Sequence, residues 1–383
     1  MSLRYIGRGS VLSAAVVAAF ACFFVVSAHA EQGPPGITEP SVVPPFDDDA
    51  AGCRPPEGLA RRLVFAQDNR REFVAGIDVG LSHAARDRGL EYRAIVADND
   101  AGVQATQLRA ALSDASGAVV ISPVDPATIN REVQELLWKG AYVGSVVPPP
   151  ATLILNAPQY LTGKVLGDEA ADYIHDRLGG QAVVVLLTQD SIQFLAPRFR
   201  AIRDSLRALP GVKIVADISP SPVSKEGGFQ TMGLVLEAHP RIDVVLGADA
   251  VVLGALEALR GTGRDRPDQF LGGIDGEPEA VSEIRKGGPY KTSVALASPV
   301  FGYAMGAYAA DWLAGKSIPQ AMDILPIALT AENLKSYETD LSDPGTVFRD
   351  ETRRSRYLRM FGNICFETRD QYLNFPWSSE ATP

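Results

Sequence analysis

The chain has 383 residues, with 46 acidic against 36 basic side chains and a formal net charge of −10. That length exceeds what a single core usually serves, so two lobes are the expectation. The negative balance disfavours nucleic acid and anionic membranes as partners.

Arg4 and Arg8 precede an almost wholly apolar stretch over 11–26, and Ala28-His29-Ala30 forms a small-x-small cleavage site before Glu31. Residues 1–30 therefore read as an export signal leading to the periplasm. An uncleaved anchor is the alternative, because the stretch approaches the ~18 to 20 apolar residues a membrane helix needs. Cys22 lies inside the apolar stretch and reads as part of the signal rather than as a lipid site. Residues 31–60 carry Pro34-Pro35, Pro44-Pro45, Asp47-Asp48-Asp49 and Pro55-Pro56. Such a segment cannot bury enough apolar surface to order itself, and reads as a leader or a strap.

From residue 62 the rhythm changes. Short apolar runs over 62–67, 92–96, 118–121, 142–146, 182–187, 212–218, 244–247, 270–274 and 292–296 read as strands. Between them, helical spacing appears over 73–88, 103–112, 129–137, 161–178, 197–209, 228–238, 250–259, 279–286 and 300–313. Continuous apolar strands alternating with helices predict an α/β fold with Rossmann-like parallel sheets covered on both faces. Ligands of open parallel sheets bind beyond the carboxyl ends of the strands. That rule selects Asp68, Asn69 and Phe73 after the first run, 123–125, 147–150 and 190–198 after later ones, then Asp249 and Asp275.

Beyond 340 a charged stretch over 350–356 leads into Tyr357, Phe361, Phe366, Tyr372, Phe375 and Trp377. This aromatic tail is expected to pack across a lobe. After removal of a signal, Cys53 and Cys365 remain, and an even pair in an oxidising compartment reads as a disulfide. Two unpaired thiols are the alternative.

Several segments carry a resemblance. Val119-Val120-Ile121-Ser122-Pro123-Val124-Asp125-Pro126, Leu253-Gly254-Ala255-Leu256, Gly273-Ile274-Asp275-Gly276-Glu277-Pro278 and Trp312-Leu313-Ala314-Gly315-Lys316 occur in that order. Over roughly 60–340 the chain resembles the ribose-type periplasmic binding proteins. The resemblance implies a type I clamshell, with two lobes hinged by three crossings near Pro158, Ala297 and Leu329. It divides the chain into an N-terminal lobe of 61–158 plus 298–328, a C-terminal lobe of 159–297 plus 329–340, and an extension over 341–383.

The same resemblance implies a sugar or sugar-like ligand, delivered to the membrane permease of an ABC importer by a monomer that needs no cofactor. It matches Arg198 to a sugar-clamping arginine, Asp275 to an acceptor of ligand hydroxyls, and Phe73 to an aromatic platform. Polar positions of the family appear here as Val147-Pro148, Ala248 and Ala297, which favours a larger, less hydroxylated, aromatic or carboxylated ligand. Each candidate has a plainer reading. Arg198 can be a solvated helix arginine, Phe73 a core residue, and Asp68 and Asn69 wet loop groups. Asp275 and Asp249 can cap the helices that follow them.

Catalysis is disfavoured. His83, His175 and His239 show no paired metal spacing, and neither a nucleophile elbow nor a phosphate loop occurs. A sensor that uses the same clamshell to signal through a membrane receptor is the remaining alternative function.

Overall fold

A strand covered on both faces needs side chains that tolerate burial at every position, and Ser116–Ile121 meets that condition along its whole length. It lies near the middle of the first of two sheets in a computed structural model, which describes residues 43–146, 150–190, 192–375 and 377–381. The signal reading over 1–30 and the Val147-Pro148 substitution lie outside the described residues.

The chain opens with β1 (Ala60–Gln67), α1 (Glu72–Arg88), β2 (Glu91–Val96), α2 (Ala101–Ser113), β3 (Ser116–Ile121), α3 (Pro126–Trp138), β4 (Tyr142–Ser145) and β5 (Leu153–Asn156). It then builds a second lobe from α4 (Gln159–Arg177), β6 (Gln181–Leu187), α5 (Ala196–Arg207), β7 (Gly211–Ile218), α6 (Lys225–Ala238) and β8 (Val244–Gly247). That lobe continues with α7 (Asp249–Gly261), β9 (Phe270–Ile274), α8 (Pro278–Lys286) and β10 (Tyr290–Ala295). The remaining elements are α9 (Ser298–Leu313), β11 (Ala321–Ile324), β12 (Ile327–Leu329), α10 (Leu334–Ser342), α11 (Pro344–Arg349), α12 (Glu351–Arg354) and β13 (Leu358–Phe361).

The first sheet has the order β13-β11-β5-β4-β3-β1-β2 and the second β12-β10-β9-β8-β6-β7. Pairing is parallel except at one edge of each, where β13 and β12 run antiparallel to β11 and β10. Alternate residues of β1 serve opposite faces: Leu63 and Phe65 join the cluster containing Leu81 and Phe301, while Val64 and Ala66 join that of Leu108, Ile129 and Val133. Helix α9 is almost wholly buried and lies directly on α1. The approach depends on Gly80, where a Cβ would stand 2.2 Å from the Pro299 carbonyl oxygen.

Crossings between the sheets fall at 157–158, between β5 and α4, and at 296–297, between β10 and α9. The third falls at 325–326, because β12 already pairs with β10 in the second sheet. That is earlier than Leu329 and moves 327–328 out of the N-terminal lobe. A fourth passage follows, since β13 returns to the first sheet after α10.

Among the described residues, neither terminal segment stands apart. Phe46 donates its backbone N–H to the Met360 carbonyl and packs edge-on against Tyr308 at 5.9 Å. The described part of the leader is thus a strap on the first lobe, ordered by the body it lies on. In the tail, Phe366 packs on Trp312 at 6.5 Å and Trp377 on Phe361 at 4.8 Å. Cys53 and Cys365 form a disulfide between strap and tail, with Cα atoms 5.8 Å apart and a sequence separation of 312. Among the described residues no helix is long and apolar enough to cross a membrane.

Closing so long a loop restricts the unfolded chain strongly. The double substitution Cys53→Ser with Cys365→Ser is expected to lower unfolding free energy by about 2–4 kcal/mol in urea titration.

Candidate functional site

Arg198 is the third residue of α5, and the helix pair α4–α5 sets where it stands. A Cβ on Gly163 of α4 would lie 1.8 Å from the Arg198 carbonyl oxygen, so the two helices meet backbone to backbone. The side chain that results is buried, only 8% exposed. Its Nε donates to Gln159 Oε1 at 3.0 Å, and Gln159 Nε2 donates to the carbonyl of Ala157 in the first crossing. Nη1 lies 3.7 Å from Asp275 Oδ1, an ion pair longer than a direct hydrogen bond. Burial pulls the guanidinium pKa down and Asp275 opposes that. The neighbours on α5 behave differently: Arg203 bridges Asp190 and Asp217, and Arg200 lies over the Tyr160 ring.

Asp275 follows β9 with φ of 123°, a backbone region that costs a non-glycine residue about 1–3 kcal/mol. The turn around it is tied down on both sides. Asp275 N donates to the Val294 carbonyl at 2.9 Å, Gly276 N to Ser293 Oγ at 3.0 Å, and Glu277 N to Asp249 Oδ2 at 2.8 Å. Surrounding protein pushes the Asp275 carboxyl up to about 7, with Arg198 opposing. Half of the side chain nevertheless reaches solvent. The helix that follows has Glu277 as its N-cap position and no side-chain cap, so Asp275 does not serve as its cap.

Asp249 is not where the sequence suggested. It is fully buried and is the first residue of α7 rather than the cap, which is Ala248. Oδ1 accepts from Tyr290 Oη at 2.8 Å, while Ser293 Oγ lies 2.7 Å from Oδ2. With the Glu277 amide added, both oxygens are engaged in holding the Asp275 turn. Burial raises its pKa, and these hydrogen bonds pull the other way.

On the first lobe, Asp68 is buried, accepts from Ser122 Oγ at 2.9 Å and pairs with Arg71 at 3.1 Å. Asn69 donates to Asn99 Oδ1 at 3.0 Å and accepts from the Arg71 amide. These two residues therefore brace the turn between β1 and α1. Phe73 is half-buried, its ring 5.5 Å from that of Phe301. Glu72 beside it lies close enough to Glu277 for its charge to raise the Glu277 carboxyl, after the larger effect of burial. Asp125 caps α3 through the Ala127 amide.

Sequence reasoning missed Gln159, Tyr290 and Ser293. Gln159 follows the expected crossing at Pro158, which could have drawn attention to it. The other two lie within a strand and carry no local signal.

Residues 63–317 match the family model described as periplasmic binding protein domain. The chain belongs to this family. Its members are non-enzymatic solute-binding proteins. This periplasmic binding protein is 26% identical over 285 residues to the ribose import binding protein RbsB of Bacillus subtilis (strain 168), covering 66% of this chain and 86% of that one. It is also 26% identical over 243 residues to a xylitol-binding protein of Mycolicibacterium smegmatis, covering 61% and 67% of the two chains. A solved periplasmic ribose ABC transporter structure from Conexibacter woesei superposes with a TM-score of 0.63 at 19% identity, covering 76% of this chain and 97% of the other. That likeness bears on the fold, two α/β lobes of the type I kind.

Asp249→Ala would leave the Tyr290 hydroxyl, the Ser293 hydroxyl and the Glu277 amide without their acceptor. The binding protein should then lose at least about 2 kcal/mol of stability in urea unfolding. Asp249→Asn, which keeps the shape and one acceptor, should lose less.

Proposed function

We propose that this chain binds a sugar-like solute between its lobes and delivers it to the permease of an ABC importer outside the cytoplasm. The observation that carries the reading is the Arg198–Asp275 pair. A buried guanidinium with one close partner stands 3.7 Å from a half-exposed carboxylate, beyond the ends of the parallel strands. Donor and acceptor side by side suit vicinal hydroxyls, and the guanidinium fork also suits a carboxylate. Relatives named for ribose and xylitol support a polyhydroxylated ligand.

The loop after β6 favours a ligand that also has an apolar part. Ile192 and Phe194 are exposed there, Phe194 at 69%. On the facing lobe Asp68 and Asn69 are already paired, so that wall offers the half-buried Phe73 more readily than free polar groups. Contact with both lobes shifts the population toward closure, and the closed form is what the permease reads.

The ligand is to be found by thermal-shift screening against ribose, xylitol, other pentoses and polyols, and their aryl and carboxylate derivatives. For whichever compound binds, Arg198→Ala and Asp275→Ala should each weaken affinity at least about tenfold, on the order of 1.4 kcal/mol. Unchanged affinity in calorimetry would remove both residues from the site.

The raised Asp275 carboxyl gives a pH signature. Below about 7 it is protonated and accepts ligand hydroxyls poorly; above, it is ionised. Affinity should fall as pH drops from 8 through about 7 to about 6. Asp275→Asn should bind weakly with a flat profile, and an equally steep profile in that variant would assign the titration elsewhere.

A further inference from the structure

The end of the described chain touches both lobes. From β13 onward the tail is held by the first lobe, through the Ile318–Ile364 and Ala151–Leu373 bridges and the packing of Trp377 on Phe361. Near the tail's end lies the buried Asp323 of β11, whose carboxyl burial raises while Asn156 and Ser379 pull it down, and whose Oδ1 accepts from Asn156 Nδ2 at 2.7 Å. Asn156 ends β5 and Asp323 lies one residue from the end of β11, so the contact sits where the first and third crossings leave the first lobe.

One residue further, the tail reaches the second lobe. Glu380 Oε2 accepts from the Tyr160 amide at 3.1 Å and Oε1 from the Leu161 amide at 2.6 Å. Those amides belong to the first turn of α4. That helix has Pro158 at its N-cap position and no cap from its own side chains, so its leading donors need an outside acceptor. A carboxylate supplies it and also places negative charge at the positive helix end. Gln159, the residue that holds Arg198, immediately precedes Tyr160.

We propose that the C-terminal tail is a strap tying the two lobes across the hinge, with Glu380 acting as a positioning residue for Arg198. Rotation of α4 away from the first lobe must break the Glu380 bonds or pull the tail from its Leu373 and Trp377 contacts with the first lobe. The strap therefore biases the lobe angle and steadies the helical turn that carries Gln159. The inference rests on the two-lobed hinge but on no particular ligand.

The test uses the full chain, Glu380→Gln, Glu380→Ala, and a chain ending at Trp377. Amide hydrogen exchange is read at Tyr160 and Leu161. Interlobe distances are read between spin labels at Trp138→Cys and Leu234→Cys, which replace residues 68% exposed on opposite lobes. Exchange at the two amides should rise at least about tenfold in Glu380→Ala and the shortened chain, less in Glu380→Gln, while β3 amides stay unchanged. The distance distribution should broaden in the same order. Faster exchange with an unchanged distribution would make Glu380 a local cap and overturn the strap; no change in either would overturn both roles. Should the shortened chain fail to fold, the two point variants decide. Ligand affinity is measured separately, so a misassigned binding site leaves these readouts standing.

Discussion

The turn that carries Asp275 in the second lobe depends on one buried carboxylate. Asp249 lies inside the protein, where an ionised group is costly unless hydrogen bonds replace its water. Tyr290, Ser293 and the Glu277 amide do so, and in doing so they clamp the turn that carries Asp275 at positive φ. The glycine ahead of the turn follows from the same packing. A Cβ on Gly273 would stand 1.8 Å from Asp249 Oδ1, so no larger residue fits. The Gly-Ile-Asp-Gly sequence is thus the imprint of Asp249 on the strand beside it, with one exposed aspartate as its product.

Arg198 reaches the same place by a different constraint. Backbone contact at Gly163 fixes α5 against α4, and Gln159 then orients the guanidinium from the first turn of α4. The hinge, the helix pair and the site are consequently one connected set of atoms. The strained backbone at Asp275 and the buried charge at Arg198 are costs that the surrounding hydrogen bonds offset.

Much of the fold was legible because parallel strands covered on both faces declare themselves as continuous apolar runs. β1, β3, β6 and β9 fall within a residue or two of their predicted bounds. The strands that escaped are short and mixed: Leu153–Asn156, Ala321–Ile324, Ile327–Leu329 and Leu358–Phe361. Nothing local distinguishes these from loops; they become strands because a sheet edge is waiting for them. The hinge error has the same origin, since Pro326 marks the break but the pairing of β12 decides which lobe owns it. For the candidate site, strand-end position and the family resemblance drew attention to Arg198 and Asp275, which the structure brings to 3.7 Å of each other. They misassigned Asp249 because its partners lie 28, 41 and 44 residues away in sequence.

The strand order also bears on how the protein is made. All strands of the second sheet lie between Gln181 and Leu329, with β11 of the first sheet placed just before β12, whereas β13 joins the first sheet only after the second is complete. A chain emerging amino end first therefore finishes its inserted lobe while the lobe that began the chain still lacks an edge. Until Phe361 arrives, β11 presents an unpaired backbone rim, and such rims invite pairing with other chains. β13 closes that rim, so four residues that arrive late complete an edge that the earlier chain leaves open.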